Sequence, residues 1–147
     1  MSERDYSHRS TVDKLGIKPG QCVLVDQGPL SLDPGLLADI EERARVLASD
    51  SHVFDVALIG IDAKTDPAAT LERLKGQMQA DGGIGLLTPK RGRPGYVNQD
   101  SELIPAGASA GLVDNKICSV SDSISAMRFV LRKEKRASHP PVPGYGS

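Results

Sequence analysis

Three short apolar runs restrict the folds open to this chain. They are Cys22-Val23-Leu24-Val25-Asp26, Phe54-Asp55-Val56-Ala57-Leu58-Ile59-Gly60-Ile61 and Ile84-Gly85-Leu86-Leu87-Thr88. Runs without polar alternation suit strands buried on both faces, as in a parallel sheet with helices on each side. The segments between them carry helix signals. Asp33 precedes Pro34, a capping residue followed by the one residue type whose missing amide costs nothing at a helix start. Leu36, Leu37, Ile40, Ala44 and Leu47 then recur at helical spacing, with Asp39, Glu41, Glu42, Arg43 and Arg45 facing away, which predicts an amphipathic helix over 34–48. Thr65-Asp66-Pro67 opens a second helix with Leu71, Leu74 and Met78 on its buried face, running to about Ala80 before the Asp81-Gly82-Gly83 stop. Strand, helix, strand, helix, strand with such connections implies right-handed crossovers and a parallel sheet.

The flanking segments differ in character. Residues 1–11 read as a polar arm, and Val12 to Ile17 as one helical turn stopped by Lys18-Pro19-Gly20. Val97 to Ala110 permits a helix, interrupted by Pro105 and Gly107. Leu112–Val120 and Ala126–Arg132 are strand-like around a Ser121–Ser125 turn, which predicts an antiparallel hairpin. Residues 134–147 form a basic, Pro-rich tail expected to be extended or disordered. At 147 residues the chain fits one domain, 12–133, that buries about 70% of its unfolded surface and needs neither disulfide nor structural metal. With five aromatic residues and no Trp, its core must be aliphatic.

The formal charge of −1 argues against a protein built mainly to hold nucleic acid. That balance hides a division. Residues 1–87 carry 9 basic and 14 acidic side chains, and residues 88–147 carry 9 and 5, with cationic clusters at Lys90, Arg91, Arg93 and at Arg128, Arg132, Lys133, Lys135, Arg136. The N-terminal residues contain no signal-peptide core and no apolar run reaches the ~18 residues of a membrane span, so a cytoplasmic location and no membrane contact are expected. Cys22 and Cys118 lack Cys-x-x-Cys spacing and read as reduced, buried thiols.

The local wording resembles an uncharacterised bacterial family, domain of unknown function 3052. The resemblance rests on Tyr6-Ser7, on Lys14-Leu15-Gly16-Ile17-Lys18-Pro19-Gly20 before a Val-rich strand, and on Gly111-Leu112-Val113-Asp114-x-Lys116-x-Cys118-x-Val120 leading to Arg128-Phe129-Val130-x-Arg132. It departs at Ile124, where the family's hairpin turn often carries Trp. The element order is similar to the class I methyltransferase fold, whose last strand inserts beside its parallel neighbours. The resemblance implies a truncated, Rossmann-like α/β fold. It has about five mostly parallel strands in the order 1-2-3-5-4, a C-terminal antiparallel hairpin and helices on both faces.

In that fold a nucleotide-like cofactor sits over the carboxyl end of strand 1, on a glycine-rich turn, with a later acid holding the ribose. Here the turn reads Asp26-Gln27-Gly28-Pro29-Leu30-Ser31-Leu32, with one glycine and a proline that removes a donor. Only 27 residues lie between Asp26 and Phe54, too few for two further strand and helix pairs, so the two cofactor-binding strands are expected to be missing. No cofactor is expected, S-adenosylmethionine included. His8, His52 and His139 lack metal-ligand spacing, and no nucleophile elbow, Walker loop or acidic metal cluster occurs, so neither a catalytic residue nor a metal is assigned.

The ligand candidates lie along the carboxyl edge: Asp26, Gly28, Asp62 and Thr88 at strand ends, and Lys90, Arg91, Arg93 and Tyr96 in the loop after the third strand. The loop offers three cations and glycine amides to a phosphate or carboxylate, and Tyr96 could stack on a planar group, although such a loop can also simply balance neighbouring acids. Asp at a strand end can equally form a turn or cap. The expected function is a non-catalytic or regulatory module for a partner protein or small anionic ligand, with no specific nucleic-acid reading. The alternative is a minimal enzyme binding S-adenosylmethionine or a nucleotide, and whether any activity exists is left open. An uncovered strand 1 edge would allow a homo-oligomer.

Overall fold

A computed structural model describes residues 11–47, 53–132 and 135. The expected arm, except Thr11, and the expected tail, except Lys135, lie outside them, as do His8, His52 and His139. The elements are β1 (Cys22–Asp26), α1 (Pro34–Arg43), β2 (Arg45–Leu47), β3 (Phe54–Gly60), α2 (Pro67–Lys75), β4 (Met78–Pro89), a π-helical turn (Gln99–Leu103), α3 (Ile104–Ser109), β5 (Leu112–Ser119) and β6 (Ile124–Leu131). The sheet order is β2-β1-β3-β4-β6-β5. The first four of these strands run parallel, and β6 is antiparallel to both β4 and β5. The five strands read from the sequence therefore keep their expected relative order, and a sixth is added.

Two apolar clusters divide along the strands. Leu24, Ala57, Ile59, Ile84, Leu86, Met127 and Phe129 pack with Leu71 and Leu74 of α2 and with Leu103 and Ala106. Val23, Val56, Leu58, Leu87 and Ala126 pack with Leu36 and Ile40 of α1 and with Val12, Leu15 and Ile17. Successive strand residues thus go to opposite faces, each with its own helices. On the second face the Arg128 guanidinium lies against Gly16 and Gly83, where an added Cβ would stand 2.6 Å from Nη1 and 2.5 Å from Cζ respectively.

Three boundaries differ from the sequence reading, each for a packing reason. The first helix ends at Arg43, not 48, because the chain turns into β2, with the Arg45 amide donating to Gln21 O at 2.8 Å. Val46 and Leu47 then join opposite clusters, the period of a strand, so Leu47's helical spacing is coincidental. The second helix ends at Lys75, and Met78, expected on its buried face, instead begins β4 opposite Phe54. A Cβ on Gly82 would overlap Asp55 O, so the strands approach closely where the glycine stop was expected. Pro105 does not interrupt α3, since it falls in the first turn, and Asn98 holds the preceding turn by accepting from the Ser101 amide at 2.9 Å.

β2 also changes two expectations. Strand 1 is not a sheet edge, because β1 pairs with β2 through Cys22, Val23 and Leu24, so self-association through that edge has no free ladder at those residues. One of the two strands expected to be missing is present as β2; the residues that follow it, 48–52, lie outside the described ones. Cys22 and Cys118 lie in different strands as free thiols, but each is half-buried, not fully buried.

The close packing of α3 on the sheet gives a test. A Cβ at Gly107 would overlap Cε1 of the fully buried Phe129. Gly107→Ala should therefore lower stability by about 1–2 kcal/mol even though alanine favours helix, read as a lower urea midpoint at unchanged slope. An unchanged midpoint would mean that the ring yields freely.

Candidate anion-binding edge

The chain order places a switch point beside β1. It moves from β1 through α1 to β2 on one side, then crosses to β3 on the other. Open α/β sheets take ligands in the crevice outside the carboxyl ends of strands at such a point. Here, the turn after β1 lies directly on the end of β3. Gly28 has φ +54°, and a Cβ there would overlap Gly60 O, while a Cβ on Gly60 would overlap Gln27 O.

Three amides of this turn, those of Gly28, Leu30 and Leu32, have acceptors within it. Gly28 N donates to Asp26 Oδ1 at 3.0 Å, Leu30 N to Gln27 O at 2.9 Å and Leu32 N to Gln27 Oε1 at 2.7 Å. The start of α1 is capped by Asp33, whose Oδ1 accepts from Gly35 N at 2.8 Å. A carboxylate thus occupies the helix end that would otherwise favour an anion. Asp26 and Gly28 are exposed, but their facing groups form an Asx turn that holds the loop on Gly60. This donor set does not fit the anionic end of a nucleotide-like cofactor.

Asp62 has a similar local task. Its Oδ1 accepts from Lys64 N at 3.0 Å and from Thr65 Oγ1 at 3.3 Å in the turn before α2. Thr88, expected at the ligand edge, is only 1% exposed, because β4 continues to Pro89 and β6 covers it through the Thr88–Ser125 pair.

The basic loop is ordered by two fused turns. Arg93 N donates to Lys90 O at 3.0 Å with Gly92 at φ +86°, and Tyr96 N donates to Arg93 O at 3.1 Å with Gly95 at φ +83°. Among the described residues no non-glycine residue has positive φ, so both are type II turns, with Arg91 and Pro94 leading and glycine supplying the left-handed corner. Arg91, Gly92, Arg93 and Pro94 are all exposed. The Arg91 guanidinium lies 5.6 Å from the centroid of the half-buried Tyr96 ring, a cation–π contact that orients it. The loop's base is tied to β3 by Ala63 N donating to Gly95 O at 3.0 Å. Among the described residues none of Lys90, Arg91 and Arg93 forms an ion pair with a carboxylate.

A second contributor was missed in the sequence. Lys90 N donates to Ser123 O at 2.9 Å and Lys90 Nζ to Ser119 Oγ at 2.6 Å, joining the basic loop to the β5–β6 turn. There Ser119 Oγ donates to Ser121 O at 3.2 Å, Ser121 Oγ accepts from Ser123 N at 3.3 Å, and the Ser121 and Ser123 hydroxyls are 3.4 Å apart. The available signal was the alternation Ser119, Ser121, Ser123, Ser125, which otherwise reads as ordinary turn composition. Nearby Cys118 has its thiol pKa raised by burial, opposed by Lys116 and Lys14, which favours the protonated thiol at neutral pH. On the other side of the serine turn a cavity of about 260 Å³ lies between Ser121, Asp122 and Ile124 and the capped start of α1 at Ser31 to Leu36.

A family model described as "Protein of unknown function (DUF3052)" matches residues 12–133. Uncharacterized proteins of Mycobacterium bovis and Mycobacterium tuberculosis are 32% identical over 126 residues, covering 83% of this chain and 78% of theirs. Among solved structures, the mitomycin 7-O-methyltransferase MmcR is similar with a TM-score of 0.56 at 14% identity, over 86% of this chain and 53% of that one. A SAM-dependent methyltransferase from Aquifex aeolicus matches with a TM-score of 0.55 at 12% identity, over 83% and 88%. The fold is thus Rossmann-like, of the methyltransferase kind, and the chain spans about half the length of MmcR. At these identities the likeness concerns the fold alone.

The Gly28–Gly60 contact predicts unequal effects of alanine. Gly92→Ala meets nothing within 4 Å and should cost only the positive-φ penalty, about 1–2 kcal/mol. Gly28→Ala adds a backbone overlap and should cost clearly more in equilibrium unfolding. Equal losses would show that the turn does not rest on β3 as described.

Proposed function

The chain belongs to the DUF3052 family, and from its edge geometry we propose that it is a non-catalytic Rossmann-like binding module that takes an anionic group through the loop Lys90 to Tyr96. The observation that carries this reading is the contrast between two parts of one sheet edge. The turn after β1 uses its own side chains to satisfy its amides, whereas the loop after β4 holds three cations without a carboxylate partner among the described residues. Fixed guanidinium and ammonium groups with exposed ends suit a phosphate or carboxylate of a small ligand or of a partner protein. A net charge of −1, with Asp26, Asp33 and Asp62 on the same edge, disfavours a long polyanion and supports a short contact.

S-adenosylmethionine has no role in this reading. Its support is the occupied donor set at Asp26 to Leu32, the Asp33 cap and the missing amide of Pro29. The alternative, an enzyme using that cofactor, draws on likeness of fold to methyltransferases.

Thermal unfolding separates the two. A ligand at 100 times its Kd adds about 2.7 kcal/mol, which in a domain of this size raises Tm by roughly 5–10 °C. Inorganic phosphate or citrate should raise Tm, and a Lys90→Glu, Arg91→Glu, Arg93→Glu variant should lose the response. S-adenosylmethionine and S-adenosylhomocysteine should leave Tm unchanged. A rise with either that Asp26→Ala abolishes would replace this reading with the enzyme.

A further inference from the structure

Resting on that reading, we propose that the anion is a phosphomonoester and that the serine turn of β5–β6 forms the second wall of its site. The two walls are one unit. Pro89 pairs with Ile124 at the end of the β4–β6 ladder, Lys90 N donates to Ser123 O, and Lys90 Nζ donates to Ser119 Oγ, which sets the ammonium beside the serine turn.

The proton inventory favours a ligand with several acceptor oxygens. An ammonium has three donors, and Lys90 spends one on Ser119, leaving two for a ligand. Ser119 gives its own proton to Ser121 O, so it orients Lys90 and is a positioning residue. Ser121 Oγ accepts from Ser123 N, and when it also accepts from Ser123 Oγ its own O–H is left to donate outward. Arg91, held over Tyr96, keeps the in-plane N–H edge through which a guanidinium binds oxygens in pairs, and Arg93 is exposed beside it. A carboxylate offers two oxygens and one charge. A phosphomonoester offers three terminal oxygens and a charge of about −1.5 to −2, the better match to three cations and neutral hydroxyl donors. A phosphodiester, with one charge and two free oxygens, is as poor a match as a carboxylate.

The phosphoryl group could belong to a free metabolite or to a phosphorylated side chain of a partner, and the probes distinguish these. Binding to the full chain is measured by amide chemical-shift titration with phenyl phosphate, benzoate, a dinucleotide monophosphate diester, and a phosphoserine peptide with its unphosphorylated form. Phenyl phosphate should bind about tenfold more tightly than benzoate or the diester, and its affinity should rise between about pH 5.5 and 7.5 as its second proton leaves, while benzoate's should not. Ser119→Ala should weaken phenyl phosphate by about three- to tenfold and benzoate by less than about twofold, with Ser119→Thr restoring the difference. Binding of the phosphopeptide alone places the group on a partner; binding of both probes admits a metabolite.

Equal affinity for phenyl phosphate and benzoate, or a Ser119→Ala variant with unaltered selectivity, overturns the phosphomonoester assignment and leaves the anion-binding module standing. Failure of every anion to bind overturns both. Should Ser119→Ala unfold, the Ser119→Thr variant and the pH dependence on the unaltered chain still decide the outcome.

Discussion

The contact between the Gly28 turn and the Gly60 backbone governs how this sheet can be used. Two glycines let two backbones meet where side chains would overlap, and Asp26 and Gln27 then satisfy the amides that the turn would otherwise present. The turn after β1 rests on the end of β3, and a cavity of about 180 Å³ lined by Val25, Gln27, Leu37 and Leu47 lies on its β2 side. Beyond β4 on the same edge, the paired glycine corners of the basic loop leave Arg91 and Arg93 exposed.

The backbone follows the methyltransferase fold, while the turn after β1 satisfies the Gly28, Leu30 and Leu32 amides within its own chain. The likeness to solved methyltransferases covers most of the chain at 12–14% identity, so it concerns the path of the backbone. Function belongs to the side chains and donors at the strand ends, which the path of the backbone does not determine. Along this edge the turn after β1 carries amides with acceptors in its own chain, whereas the loop after β4 carries exposed cations.

Much of the fold was legible because its signals are local. The apolar runs gave β1, β3 and β4, the Asp-Pro pairs marked the starts of both long helices, and the hairpin stood out by its flanking turn residues. The exceptions depended on partners distant in sequence. Val46 and Leu47 become a strand only because β1 has an open side, and Met78 leaves its helix only because Phe54 faces it. The candidate site was half legible. Its cations stand in a contiguous cluster, whereas the serines 29 to 33 residues later join it through the β4–β6 register, and Thr88 is covered by that same register. A tight turn and a ligand loop share one composition, so Asp26, Asp62 and Gly28 could be placed at the edge by sequence but not given a task.

The position of β6 has a consequence for how the molecule is made. β4 is the most deeply buried long strand, with eight consecutive covered residues from Gly82 to Pro89, and half of its hydrogen-bonding edge is closed only by residues 124–129. A nascent chain that has emerged as far as α3 therefore carries a complete parallel half-sheet with an unsatisfied apolar edge. Such edges recruit other chains. During synthesis the interval between the appearance of β4 and that of β6, residues 90–123, is when the protein is most exposed to misassociation, and chaperone protection would matter most there.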